Sequence, residues 1–266
     1  MRKFFGKAAL FAATGLAMAA MMPAAASAAV TFTFDTGGTN SSGTYGDVRT
    51  FTGSDGTKVE VTAYSICTST GKTGSCPSST VPKGQTVLQT AYVGQYAGYG
   101  LGVTDRSEDG SSPNHTVDNS GWTDILVLQF SKSVDVTKLG MTAWGDTDIT
   151  YAAGQTNVPF SGTLNFTSWA GLDADFDPFN ASNGNSMSDG SNFSRTISGG
   201  DIGNLFFISA AMPNPDKYSD YVKLKSLTEV PCVPEPATWG MMVIGFGALG
   251  ATMRRRKATK ATVSFA

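Results

Sequence analysis

Five aspartates in the middle of this 266-residue chain carry the oxygen atoms that hard divalent cations prefer as protein ligands. They lie in polar segments beside apolar runs, so the loops of one domain could bring them, together with Glu108, to a common rim: Asp105, Asp109, Asp118, Asp146 and Asp148. We predict a Ca²⁺ site there. The alternative is that Asp118 bonds the backbone of its own turn and that Asp146 and Asp148 only end a strand.

Residues suited to hydrolysis are few. His115 is the only histidine, so a Ser-His-Asp arrangement would depend on it, and the sequence has no G-x-S-x-G elbow. We expect an ordinary hydrogen-bonded loop histidine. The glutamates that could serve glycoside hydrolysis between residues 29 and 231 are Glu60, Glu108 and Glu229. We therefore predict that the protein is not an enzyme, with a secreted hydrolase as the weakest alternative.

Tyrosine and tryptophan side chains could form a stacking platform for sugars. Large aromatic side chains are usually mostly buried, so we expect most of them in the core. The candidates are Tyr92, Tyr96, Tyr99, Trp122, Trp144 and Trp169.

Cysteine usage fits an oxidising compartment. Cys67 and Cys76 bracket a polar loop with two glycines, and we predict that they form a disulfide. The alternatives are two free thiols or a pairing of either residue with Cys232. The sequence has no CxxC or Cys/His spacing typical of a metal site.

The elements that must hold these residues are strands. Residues 29–231 are rich in Gly, Ser, Thr, Asn and Asp, with short β-branched and aromatic runs between turn signals. This pattern predicts an all-β fold, a single β-sandwich or jelly-roll-like domain. The nearly continuous apolar run 124–130 predicts a central strand buried on both faces. Lys223 and Lys225 alternate with apolar neighbours, which predicts an edge strand with one solvent-exposed face.

The N-terminus has the three parts of a secretory signal. Basic residues precede an apolar run from Ala8 to Met22, and small residues follow it. We predict a signal peptide over residues 1–28 that passes the Sec translocon and is removed by signal peptidase after Ala28. The alternative is an uncleaved N-terminal anchor.

The C-terminal segment 232–257 has three parts of its own. The first is a short motif formed by Val233, Pro234, Glu235, Pro236 and Trp239. An uncharged apolar helix is predicted over about 237–253, short for a hydrocarbon core of about 30 Å. The third part is a basic cluster of Arg254, Arg255, Arg256 and Lys257. Such a cluster predicts that residues 258–266 form a cytoplasmic tail behind a short transmembrane helix.

This order of parts resembles the PEP-CTERM sorting signal, in the variant with Trp after the PEP motif. The resemblance implies recognition by a membrane-embedded exosortase, which removes the helix near the motif and passes the protein to the cell surface or extracellular matrix. Two features depart from the pattern: the chain continues to Ala266, and Gly240 replaces the commoner Ala. The alternative is a plain single-pass tail anchor. Residues 100–151 also resemble passenger domains of exosortase-dependent surface proteins, which implies a β-rich extracellular domain.

Charge excludes some partners. The formal net charge is −2, but 11 basic residues against 20 acidic ones remain between the two terminal segments, a net charge of about −9. Such a surface repels nucleic acid and anionic lipid. We predict an exported surface or matrix protein with a structural or adhesive role, associated with exopolysaccharide or biofilm. The alternative is a calcium-dependent carbohydrate-binding module.

Overall fold

The computed structural model describes residues 28–68, 85–162, 164–176, 178–197, 202–212, 216, 218–232 and 236–255. Residues 28–232 form one compact unit, and the described residues after 232 belong to a second. Residues 1–27 of the proposed signal peptide lie outside the described residues. Ala28, the predicted cleavage position, is exposed and lies two residues before the first strand.

Thirteen strands and two helices occur in the described part of the chain. The strands are β1 (Val30–Thr33), β2 (Val48–Thr52), β3 (Lys58–Thr68), β4 (Thr86–Thr90), β5 (Tyr92–Tyr96), β6 (Gly100–Thr104), β7 (Val117–Asp118), β8 (Thr123–Gly145), β9 (Ile149–Gly154), β10 (Asn180–Ser182), β11 (Met187–Thr196), β12 (Ile202–Ala210) and β13 (Tyr221–Pro231). The helices are α1 (Trp169–Asp173) and α2 (Pro236–Arg255).

Strand β8 organises the sheet because it is long enough to pair with four neighbours. Its first half, up to Phe130, pairs with β3 on one side and β12 on the other. Its second half, from Val134 onward, pairs with β13 and β11. All strand pairs are antiparallel, and hydrogen bonds connect the thirteen strands into one sheet.

The first half of β8 is buried on both faces, as the apolar run predicted. Leu126, Leu128 and Phe130 belong to the larger hydrophobic core, which also contains residues from β1, β6 and β13. Ile125 and Val127 point to the opposite face and belong to a smaller core. Aromatic residues from the segment around α1, including Phe166 and Trp169, pack against that smaller core.

Strand β13 is not at an edge, so that prediction was wrong. It pairs with β8 along one side and with β1, β6 and β7 along the other. Lys223 is 1% exposed and lies among the largest fully buried side chains. The lysines and the apolar residues of β13 do lie on opposite faces of the strand. The amine of Lys223, however, contacts aromatic side chains rather than water.

The prediction of a β fold is confirmed, because the described residues form mostly strands in one large antiparallel sheet. The sandwich shape stays a prediction. Residues 236–255 are helical, but no helix among the described residues is both long and apolar enough to cross a membrane. The membrane-spanning helix is therefore not confirmed.

Candidate functional site

Three carboxylates from separate segments meet in what we call the inner acidic cluster, formed by Glu108, Asp118 and Asp124. One carboxylate oxygen of each lies within 4.8 Å of the others. Glu108 comes from the loop after β6, Asp118 from β7, and Asp124 from the start of β8. Asp118 and Asp124 are fully buried, so three groups that each carry a negative charge when ionised share a small volume with little water.

Hydrogen bonds satisfy only part of this cluster. Asp118 accepts bonds from the Ser120 amide at 2.9 Å and from the Thr116 hydroxyl at 3.1 Å. Asp124 Oδ1 accepts a bond from the Ser65 hydroxyl at 2.8 Å. Asp124 Oδ2, in contrast, is buried without any hydrogen-bond partner. A buried carboxylate oxygen left without a donor is costly, and a bound cation would remove that cost.

The pKa values of the cluster also show that burying these carboxylates in the charged form is unfavourable. Burial, followed by the charge of Asp118, raises the pKa of Glu108 to about 8. Burial likewise raises the pKa of Asp118 to about 7, with a smaller contribution from the charge of Asp105. Burial and the neighbouring acidic groups hold the pKa of Asp124 well above its usual range. The cluster thus resists carrying three negative charges unless a positive charge accompanies them.

A second group, which we call the outer acidic cluster, contains Asp146, Asp148 and Asp220. All three are buried, and one oxygen of each lies within 4.8 Å of the others. Asp220 accepts hydrogen bonds from the Asp148 amide at 2.9 Å and from the Asn119 side chain at 2.6 Å. Burial raises the pKa of Asp220 to about 7, and burial also raises the pKa of Asp146.

Strand register explains why residues so distant in sequence come together. The end of β12 has β8 on one side and β9 on the other, so Ser209 lies opposite both Ile125 and Thr150. The start of β13 pairs with β7, which places Tyr221 opposite Asp118. Acidic residues at the adjoining strand ends therefore gather at one end of the domain.

The five predicted ligands do not lie in one site. Asp118 belongs to the inner cluster, and Asp146 and Asp148 belong to the outer one. Asp105 is buried and its charge acts on the inner cluster, but its Oδ1 accepts bonds from Ser107. Asp109 belongs to neither cluster. It is exposed and its Oδ1 accepts bonds from the amide and hydroxyl of Ser111, while its charge acts on Glu108 of the inner cluster. A shared rim for Asp109 therefore stays a prediction.

Glu108 was expected on the same rim, whereas sequence reasoning missed Asp124 and Asp220 as cation ligands. Asp124 offered one signal, because it is the first residue of an apolar run that reads as buried on both faces. A carboxylate at such a position needs a partner. Asp220 offered no such signal.

A cavity of about 280 Å³, which we call the aromatic cavity, lies where β5, β8 and β13 meet the loop before β7. Its lining comprises Thr39, Tyr96, Tyr99, Ser112, His115, Trp144 and Lys223. Tyr99 and Trp144 meet edge to face with ring centroids 5.2 Å apart. Lys223 thus belongs to a binding-sized cavity that the sequence did not predict.

The amine of Lys223 is held by neutral partners. Its Nζ lies 2.7 Å from both the Nδ1 and the carbonyl oxygen of His115. It also lies 4.3 Å from the ring centroid of Tyr96 and 4.6 Å from that of Trp144. When Lys223 is protonated its ammonium group only donates, so Nδ1 of His115 then accepts this bond and the ring proton lies on Nε2.

Burial lowers the pKa of Lys223 to about 7, against a smaller opposite effect from the charge of Asp118. Burial, together with the charge of Lys223, lowers the pKa of His115 to about 4. His115 is therefore neutral at physiological pH and hydrogen-bonds a lysine, in agreement with the expectation of an ordinary hydrogen-bonded histidine.

The six aromatic candidates lie in different environments. Tyr96, Tyr99 and Trp144 line the aromatic cavity. Trp122 is buried, and Trp169 packs against the smaller core. Tyr92 is buried with its hydroxyl bonded to the segment around Asn40. Half of the candidates are therefore structural, as burial of large rings predicts.

Gly102 allows the backbone at His115 to approach β6 closely. A Cβ atom there would collide with the carbonyl oxygen of His115, the same oxygen that accepts a bond from Lys223.

We expect Gly102→Ala to lower the free energy of unfolding by about 1–3 kcal/mol, because the segment holding His115 must shift. Urea unfolding of the variant measures this. Gly38→Ala is the matched control, since a Cβ at Gly38 meets no atom within 4 Å. Equal stability of the two variants would contradict the proposed contact.

The predicted disulfide is described at one end only. Cys67 is disulfide-bonded and buried at the end of β3. Cys76 lies outside the described residues. Cys232 has a free thiol, and its pKa is raised by burial.

Helix α2 covers the apolar stretch and begins at Pro236, within the short motif. Val233, Pro234 and Glu235 lie outside the described residues, as do Arg256, Lys257 and residues 258–266. Comparison with known families matches residues 233–257. The chain carries a PEP-CTERM protein-sorting motif. This motif implies an exported, surface-associated protein that an exosortase sorts and processes. No curated protein and no solved structure matches the chain.

Proposed function

We propose that this protein is an exosortase-sorted surface or matrix protein whose β domain binds Ca²⁺ and has a structural or adhesive role. Export proceeds through the Sec translocon, with signal peptidase cleavage after Ala28. The role is non-enzymatic, and extracellular polysaccharide is the proposed surrounding partner. The proposed domain is a β-sandwich.

The observation that carries the Ca²⁺ part is the inner acidic cluster with its unpartnered Asp124 oxygen. Carboxylates supply the hard oxygen ligands that Ca²⁺ prefers, and no soft sulfur or imidazole belongs to the cluster. Glu108, Asp118 and Asp124 would hold the ion, and it would neutralise their charge. The outer cluster offers three further carboxylates of the same kind.

A second candidate, a calcium-dependent carbohydrate-binding module, is favoured by the aromatic cavity. Three aromatic rings and a lysine line it, close to the inner cluster. Cavities lined by aromatic side chains with a few polar groups are typical binding sites for small ligands.

Sorting is tested by the intact mass of the mature protein recovered from the cell surface. We expect a chain that begins near residue 29 and ends near the PEP motif, without the apolar stretch of α2. An exosortase-deficient strain provides the control, in which the C-terminal helix should remain. Recovery of the helix in the mature surface form would contradict exosortase processing.

A further inference from the structure

Lys223 brings a basic group into the aromatic cavity without a carboxylate in salt-bridge contact, although the charge of Asp118 acts on it from a greater distance. Two salt bridges occur among the described residues, and neither involves Lys223. Its polar contacts are a neutral histidine and a carbonyl oxygen. A buried cation with neutral partners favours the arrival of an anion, because the anion supplies the missing opposite charge.

The aromatic walls add a second recognition element. Tyr99 is 46% exposed, although its ring contacts Trp144 edge to face. An exposed aromatic ring beside a cavity can stack on the apolar face of a sugar ring. The volume of about 280 Å³ is at the lower end for ligand sites, which suits one ring rather than a long oligomer.

Polar groups at the mouth could bond sugar hydroxyls. Thr39 and Ser112 line the same cavity and carry hydroxyls that both donate and accept. Cation, exposed ring and hydroxyls together match a pyranose that carries a carboxylate.

We propose that the aromatic cavity binds one uronic acid residue of an anionic glycan, with the carboxylate directed to Lys223 and the ring stacked on Tyr99. The inference rests on the carbohydrate-binding candidate and specifies its ligand class. None of the six cluster residues lines the cavity, so the sugar would not contact a proposed Ca²⁺ ligand, although the charge of Asp118 acts on Lys223.

Titration calorimetry and ligand-observed NMR on the purified protein test this proposal with four small probes. The methyl glycosides of glucuronic acid and galacturonic acid carry both ring and carboxylate. Methyl glucoside carries the ring alone, and acetate carries the carboxylate alone. We expect a uronide to bind at least about tenfold more tightly than either partial probe, as a charge-assisted hydrogen bond predicts.

Two variants separate the contributions. Lys223→Met removes the charge at similar volume and should reduce uronide affinity to that of methyl glucoside. Tyr99→Ala removes the exposed ring and should weaken uronide and glucoside together. The matched controls Lys138→Met and Tyr218→Ala alter an exposed lysine and an exposed tyrosine outside the cavity, and should leave affinity unchanged.

The outcomes distinguish binding of an anionic sugar from carbohydrate binding in general. Equal binding of uronides and glucoside would overturn the anionic-ligand inference and leave the carbohydrate-binding candidate standing. Failure of all sugars to bind would overturn both. Binding that Lys223→Met does not reduce would also overturn the inference, provided that far-UV circular dichroism shows a folded variant.

Discussion

Asp124→Asn is expected to lower the melting temperature in the presence of excess Ca²⁺ by roughly 5–10 °C, but not in the presence of EDTA. The reason is that Asp124 contributes a carboxylate to the inner cluster, and a bound ion stabilises the native state by mass action. Without the ion, Asn keeps an oxygen for the Ser65 hydroxyl and is uncharged, like the protonated form of Asp124 that burial and the neighbouring acidic groups favour. Differential scanning calorimetry in both buffers measures the effect.

The matched control is Asp189→Asn, which removes an exposed carboxylate outside both acidic clusters. It should leave the melting temperature nearly unchanged in both buffers. An equal loss of stability for Asp124→Asn with and without Ca²⁺ would indicate a purely structural aspartate. Absence of any Ca²⁺ effect on the unaltered protein would contradict a site in either cluster.

Metal-free protein is expected to lose stability as pH rises from about 5 to about 8, by an amount on the order of several kcal/mol. The unfolded carboxyl groups titrate near pH 4, whereas burial raises the folded pKa of Asp118 and Asp220 to about 7 and that of Glu108 to about 8. Between these values the native state holds protons that the unfolded state has lost. Stability is therefore fully present below the unfolded pKa and disappears as pH rises through the folded one.

Two basic groups act in the opposite direction. Because the pKa values of His115 and Lys223 are lowered in the folded state, the unfolded state binds more protons at these two groups. This applies between about pH 4 and pH 6.5 for His115 and between about pH 7 and pH 10.5 for Lys223. They are outnumbered by the carboxyl groups with raised pKa values, which are Glu108, Asp118, Asp124, Asp146, Asp220 and Glu229. The net slope should remain negative.

Urea unfolding in EDTA at several pH values measures this slope. Saturating Ca²⁺ should flatten it, because the ion replaces the protons as the partner of the carboxylates. Asp118→Asn should reduce the slope in EDTA, whereas Asp189→Asn, outside both acidic clusters, should not. Rising stability between about pH 5 and about pH 8 in EDTA would contradict the raised pKa values.

Local pattern predicted much of the fold. The run 124–130 indicated a strand buried on both faces, and the structure shows its side chains in both cores. The same kind of reasoning failed for β13. Alternating lysines have the same sequence period whether their face contacts water or aromatic rings, and the neighbours of Lys223 come from β5, β8 and the loop before β7.

The candidate site was predicted only in part for the same reason. The sequence predicted aspartates such as Asp118 and Asp146 as cation ligands, because residue type and polar neighbours are enough for that prediction. Which oxygens approach one another depends on distant partners. Asp118, Asp124 and Glu108 meet only when β7, β8 and the loop after β6 reach their final register.

The sequence by itself determined where this protein goes. A sorting signal acts through a short contiguous segment, so residues 233–257 carry their information in order and type alone. The sequence also determined the β class, because strand periodicity is local. Only the tertiary structure decided the acidic clusters and the aromatic cavity around Lys223. Both depend on strand pairing that joins residues about a hundred positions apart, as the contact of Lys223 with His115 shows.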